Sequence, residues 1–242
     1  PYQKQSFWID DIRIGRYHNG QDALRTDLAY RLDWMPLPLT KTGELPELVI
    51  AVGTNDEVIA ALANHADQQR IAFEHWNVLE HWTAGEHVGQ DKASHDRDYR
   101  QHFERLLAAH QTAQRLAIVF VADHSAGEPE GLPSFIQQQL VMLISLTQAI
   151  TTKAQKTARL WLATQNAYVE SKRDGQVNIA AHPLLGWCKS VALEHGDIWG
   201  GMIDFAGADA DSLPAAITAL INEIAADTKE SEIRLLDGER FV

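Results

Sequence analysis

Between Glu47 and Phe205, short apolar runs take turns with amphipathic stretches, and this alternation limits the fold more than any other feature of the chain. "ELVIAVG" (47–53) and "RLAIVFVAD" (115–123) have the length and character of strands buried in a core, and "IAFEHWNVLE" (71–80), "RLWLATQNAYV" (159–169) and "GGMIDF" (200–205) also read as strands. The intervening stretches have helical spacing. "TNDEVIAALANHA" (54–66) starts with Thr54 or Asn55 as a cap and with two acids that suit the helix dipole. In "HDRDYRQHFERLLAAHQTAQ" (95–114), Tyr99, Phe103, Leu106 and Leu107 share one face. "LPSFIQQQLVMLISLTQAITT" (132–152) is the longest apolar helix, and "SLPAAITALINEIAAD" (212–227) has Ser212 as cap and Pro214 in its first turn. "EIRLLDGERFV" (232–242) predicts two strands joined by the two-residue turn Asp237-Gly238. Strand–helix alternation of this kind gives an α/β fold, with a mostly parallel sheet and helices on both faces.

Ahead of this region, "AYRLDWMPLPL" (29–39) alternates, with Tyr30, Leu32 and Trp34 on one side, and predicts a further strand ending at prolines. Residues 1–28 mix aromatics with Arg, Gln and Asp at no sustained period and read as an inter-domain linker. The boundaries are therefore a linker over 1–28 and a folded domain over 29–242. Because the chain begins with Pro1 rather than Met, it is expected to be a piece of a longer protein.

With 242 residues, 45% hydrophobic and 22% charged, the chain is long enough to bury a sizeable core. A formal net charge of −12 argues against nucleic acid or an anionic membrane as its main partner. No apolar run is long enough to cross a bilayer, and the start has no signal-peptide pattern. A single cysteine, Cys188, rules out an intrachain disulfide and fits a reducing, cytoplasmic setting.

An α/β fold of this order is Rossmann-like, and such folds hold a dinucleotide on a glycine-rich loop between the first strand and helix. The corresponding stretch here, "AVGTNDEV", has one glycine, Gly53, followed by Asp56 and Glu57, whose charges would repel a phosphate. Gly200-Gly201 lies before a strand rather than after one and reads as a turn. No cofactor-binding residue is expected in this chain.

Other chemistry fares no better. Tyr168 and Lys172 in "YVESK" match the Tyr-x-x-x-Lys pair of short-chain dehydrogenases. In those enzymes the lysine lowers the tyrosine pKa and the tyrosine protonates a carbonyl oxygen. That pair needs a helical turn, whereas Tyr168 ends a strand pattern and "SKRDGQ" reads as a turn, so the match reads as chance. The eleven histidines, among them His75, His81, His87, His95 and His102, show no metal-ligand spacing. Cys188 falls on an apolar helix face with Leu184, Val191 and Ala192, as a core thiol does. Asp204, at a strand end, is placed as a catalytic acid might be but reads as a turn cap. No nucleophile elbow is present. The expected set of catalytic, cofactor and metal residues is empty.

"PLLGWCKSVALEHGDIWGGMIDF" (183–205) resembles a segment near the end of the structural subdomain of modular polyketide synthase ketoreductases, where a "VALEHP-LWGG--D" pattern recurs. Val191 to His195 and Trp199 to Gly201 match it, with Gly196 in place of the usual proline and Lys189 in place of the usual arginine. "YRLDWMPLP" (30–38) resembles that subdomain's opening strand. "RLWLATQNA" (159–167) resembles its "LW-VT--A" strand, and "GERFV" (238–242) the strand leading into the catalytic subdomain. "PYQKQSFWID" resembles the linker that follows the ketosynthase and acyltransferase region.

The resemblance covers nearly the whole chain. It implies a truncated Rossmann-like half that has no catalytic role by itself and braces a second half carrying the NADPH loop and the catalytic set. The parent would be an acyl-transferring synthase of secondary-metabolite biosynthesis, with a ketoreductase or pseudo-ketoreductase, and the partners would be the catalytic half and other domains of the same synthase. Two rivals stand beside it. One is a free-standing short-chain oxidoreductase using Tyr168 and Lys172; the other is a docking module that recruits synthase domains.

Overall fold

The computed structural model describes residues 34–77, 92–123, 131–153, 157–168, 177–207, 211–228 and 230–242, with the backbone alone for 92–98. The linker expected over 1–28 lies outside the described residues.

Seven strands form one sheet: β1 (Leu48–Gly53), β2 (Ala72–Trp76), β3 (Leu116–Val121), β4 (Ala158–Gln165), β5 (Trp199–Ala206), β6 (Glu232–Leu236) and β7 (Glu239–Phe241). Their spatial order is β2-β1-β3-β4-β5-β6-β7. Every pairing is parallel except the β6–β7 hairpin. The helices are α1 (Asp56–Gln69), α2 (Lys92–Ala108), α3 (Leu132–Thr152), α4 (His182–Glu194) and α5 (Leu213–Ala226).

Alternation along each strand splits the apolar side chains between two layers. Ile50, Ile118, Leu160 and Met202 pack with α2, α3 and α4 through Phe103, Leu146 and Leu184. Val49, Val119, Trp161 and Ile203 pack with α1 and α5 through Leu62, Ile217 and Ile221. Helices therefore cover both faces, and β1, β3 and β5 are buried along their whole length. This is the α/β, mostly parallel, Rossmann-like architecture that the alternation predicts.

Several local expectations sharpen. The cap of α1 is Asn55, whose Oδ1 accepts from Val58 N at 3.2 Å, while Thr54 points elsewhere. The helix predicted over 95–114 spans 92–108, because the chain tightens into a turn in which Ala109 and His110 bond back three residues to Leu106 and Leu107. Ser212 holds the N-cap of α5 through its carbonyl, which accepts from Ala215 and Ala216, and its side chain makes no capping bond. Asp237 and Gly238 both take positive φ, 51° and 79°, as the tight hairpin turn requires.

The Gly200-Gly201 pair is not a turn. Both glycines lie inside β5, at a bulge where Leu160 faces Trp199 and Trp161 faces Gly201, so that Gly200 is the extra residue. The cause is Trp161. Its indole lies so close that a Cβ on Gly200 would sit 2.3 Å from the ring, and one on Gly201 3.0 Å from it. Gly201 also has φ +149°, which side chains rarely adopt. Trp199, beside the pair, is buried on the opposite layer with Leu184 and Cys188 and meets Trp187 edge-on at 6.2 Å.

The strand predicted over 29–39 is also reduced; residues 29–33 lie outside the described set. From Trp34 the chain runs extended and pairs antiparallel with the end of β7. Met35 and Val242 exchange two backbone bonds of 2.9 and 3.0 Å, and Leu37 N donates to Arg240 O at 3.0 Å. The ladder stays a single bridge, Pro36 to Phe241. Pro36 and Pro38 have no N–H to extend pairing outward, so this segment closes the edge of β7.

Arg240 fastens the segment. Its guanidinium grips the Glu223 carboxylate of α5 with two nitrogens, and its Nη1 donates to Leu37 O at 2.8 Å. Glu223 is 1% and Arg240 8% exposed, so this ion pair is shielded from water.

Two substitutions test these contacts by chemical denaturation. Gly200→Ala should lower stability by about 1–3 kcal/mol, the usual penalty of forcing atoms into a filled core. Arg240→Ala leaves the buried Glu223 without its ion-pair partner and should lower it by about 3–5 kcal/mol. A loss below about 0.5 kcal/mol, the range of ordinary surface changes, would contradict either placement.

Candidate functional site

In a sheet of this order the chain runs from β1 to β2 on one side and then crosses from β2 to β3 on the other side of β1. The crevice beyond the carboxyl ends of β1 and β3 is then the place where α/β folds bind ligands. Here that crevice is filled. Gly53, at the end of β1, has φ +146°, and a Cβ on it would meet Val121 O of β3 at 2.4 Å. Its glycine character serves close contact between two strands. Thr54 Oγ1 donates to Asp123 Oδ2 at 2.8 Å across the gap. Asp123 N donates to Gln139 Oε1 of α3 at 2.9 Å. His75 Nε2 donates to Gly53 O at 2.9 Å from the β2 side, and Asn55 Nδ2 donates to Gln165 Oε1 at 2.9 Å. With Phe135 and Met142 these groups leave about 20 Å³. Asp56 and Glu57 stand exposed in the first turn of α1, beside the same opening.

A second polar cluster lies on the α4 layer over β4, β5 and β6. Thr164, Asp204 and Arg234 are register neighbours on three adjacent strands. Asp204 is fully buried and accepts three bonds: from Thr164 Oγ1 at 2.7 Å, Ala167 N at 2.8 Å and Tyr168 N at 3.2 Å. Burial pushes its carboxyl up, while these donors and the charge of Arg234 pull it back. Asp204 thus caps a turn, as expected, but the turn that follows β4 rather than its own strand.

Tyr168 lies three residues beyond β4, in that turn. Its hydroxyl donates to Glu232 Oε2 at 2.7 Å, its ring meets Trp34 edge-on at 5.0 Å, and its carbonyl accepts from Arg234 Nη2 at 3.2 Å. Glu232 also pairs with Lys189 at 3.3 Å. Burial and the Glu232 carboxylate push the Tyr168 phenol far above its ordinary value. A tyrosine acting as a proton donor near neutral pH needs the opposite shift. Lys172 lies outside the described residues. Cys188 is buried in α4, and burial together with Glu232 pushes its thiol well up, away from the thiolate a nucleophile requires.

Among the described residues no three His, Cys, Asp or Glu side chains gather as metal ligands would. His75 and His110 bond instead to Gly53 O and to Glu74. His81 and His87 lie outside the described residues, and His95 is described by its backbone only. Of the groups that determine the character of the crevice, Asp123 and Gln139 escaped notice in the sequence, and Thr54 reads there only as a candidate helix cap. The available signal was a run of three glutamines inside the longest apolar helix.

No family model matches the chain. It is 23% identical over 244 residues to a phenolphthiocerol/phthiocerol polyketide synthase of Mycobacterium tuberculosis, covering 97% of this chain and 10% of that protein. It is 27% identical over 221 residues to the pikromycin polyketide synthase component PikAIII of Streptomyces venezuelae, covering 90% of this chain and 12% of that one. Its relatives are polyketide synthases. The fold agrees with this: a C2-type ketoreductase from a modular polyketide synthase superposes with a TM-score of 0.59 at 22% identity, over 88% of this chain and 42% of that one. A multidomain structure with adenylation, ketoreductase and pseudo-Asub domains from a keto acid-selecting NRPS module gives 0.63 at 17% identity, over 86% and 18%. The chain thus spans about a tenth of these synthases and about two-fifths of the ketoreductase. No described helix is long and apolar enough to cross a membrane.

The raised phenols give a measurable pH dependence. Tyr99 is pushed up to about 12 by burial, and Tyr168 further. A phenol whose folded pKa exceeds its unfolded value stabilises the fold below the unfolded value, near 10, and that stability is lost as pH rises above it. Stability should therefore fall with pH beyond about 10, the unfolded value of the phenol, and the fall should shallow in Tyr168→Phe. An unchanged slope in that variant would show that Tyr168 does not carry the shift.

Proposed function

We propose that this chain is the structural half of a polyketide synthase ketoreductase, a truncated Rossmann-like scaffold that braces an NADPH-binding catalytic half within a synthase module. The observation that carries the proposal is the filled crevice between β1 and β3, in a fold that agrees with about two-fifths of a modular ketoreductase. The scaffold of a dinucleotide fold is kept, while the space for the pyrophosphate is taken by the Gly53–Val121 contact and the Thr54–Asp123 bond. The chain then performs no reduction by itself. Its role is mechanical: it supplies a rigid two-layered body against which the catalytic half is held. Residues 1–28 act as the linker from the preceding region of the synthase, and the whole belongs in the cytoplasm with the other domains of its module. Tyr168, engaged by Glu232 and Trp34, fits a structural role better than the oxidoreductase reading.

Two measurements test this. Titrated into the isolated chain, NADPH should give no fluorescence change at micromolar concentrations; a micromolar dissociation constant would overturn the reading. In the intact parent module, Tyr168→Phe should leave reduction of a model β-ketoester within a few-fold of the original, since general-acid groups typically contribute at least a hundredfold. A loss of that size, with the fold retained, would instead favour an oxidoreductase working through Tyr168. For the bracing role itself, the two halves made as separate chains should associate, and the mixture should melt higher than either alone.

A further inference from the structure

The small cavity between the carboxyl ends of β1 and β3 is lined by Gly53, Thr54, Asp123 and Gln139, with Phe135 and Met142 closing it. Its volume, about 20 Å³, exceeds the roughly 10–15 Å³ that one water needs. Gln139 is 3% exposed. Its Oε1 is committed to Asp123 N, which fixes the amide so that Nε2 is its donor end. That Nε2 is buried and has no hydrogen-bond partner among the described residues. A buried amide donor with no acceptor costs about 1–3 kcal/mol, and native interiors rarely leave one so.

We propose that this cavity is a binding site for one internal water molecule. The hydrogen bonding closes. The water oxygen accepts from Gln139 Nε2, and one of its hydrogens is given to the carboxylate of Asp123, which lines the cavity. Two polar partners lie within the range that internal waters have. The cavity is too small for a phosphate, and the carboxylate on its wall would repel an anion. The water would tie α3 to Asp123, just after β3, at the point where the strand order reverses, joining the Thr54–Asp123 bond as part of what fills the crevice. The proposal depends on the geometry of the crevice alone and would stand even if the chain proved to bind NADPH elsewhere.

A crystal structure of the chain at a resolution that shows ordered solvent is the direct test. One water within hydrogen-bond distance of Gln139 Nε2 is expected. A cavity closed by a side chain, or a protein acceptor on that nitrogen, would overturn the proposal. In solution, Gln139 NH₂ should show a direct nuclear Overhauser effect from a long-lived water, which is lost from neighbouring protons in Gln139→Met. Gln139→Glu keeps the acceptor for Asp123 N but removes the donor, and should weaken the same signal. If the effect is missing in the unaltered protein while the fold is intact, the site is dry and the proposal fails.

Discussion

A parallel sheet covered on both faces has no solvent-facing side, so a polar group inside it needs a partner from the protein or from an internal water. The rest of this structure follows from how that constraint is met. Thr164, Asp204 and Arg234 sit in one row across β4, β5 and β6, and the Asp204 carboxylate accepts three bonds within it. Glu223, buried in α5, is held by Arg240. Thr54 meets Asp123. Each of these polar groups joins elements distant in sequence: two neighbouring strands with the turn after β4, a helix with the last hairpin, and the ends of β1 and β3. Polar pairing thus fixes register and edges where apolar packing alone would tolerate slippage.

The same groups account for what the fold does not do. In a dinucleotide fold the turn after the first strand is glycine-rich so that backbone can approach a pyrophosphate. Here a single glycine at that turn lets β1 approach β3, and the polar side chains around it bond one another. Tyr168 is engaged in a similar way. Its hydroxyl, ring and carbonyl all have protein partners, which holds the turn after β4 against β6 and Trp34. Side chains that would be chemically suggestive on a surface are here part of the packing.

Edges are the remaining liability of an open sheet. At β7 the edge is closed from within the chain, by the extended segment at Met35–Leu37, with Pro36 and Pro38 ending further pairing. "GERFV" has no closing cap of its own, and the covering segment comes from some two hundred residues earlier. Arg240 joins that segment to α5 as well as to β7, so the folded body and its entry strand are one mechanical unit.

What the sequence by itself determined is the class of fold and the positions of most elements. The unbroken run "LAIVFV" is what a strand covered by helices on both faces of a parallel sheet requires, and α3 spans the residues that its periodicity marks. It also determined that no glycine-rich loop follows β1, since that feature is local. Long-range contacts decided the rest. Gly200-Gly201 reads locally as a turn; only the indole of Trp161, about forty residues earlier, makes it a bulge inside β5. Asp204 reads as a cap for its own strand; the register of β5 against β4 points it at Ala167 and Tyr168 instead. The partners of Thr54, Asp123 and Gln139 are not legible locally, because they lie on different elements and meet only when the sheet assembles. Periodicity records which face a residue takes, and tertiary structure alone decides which residue faces it.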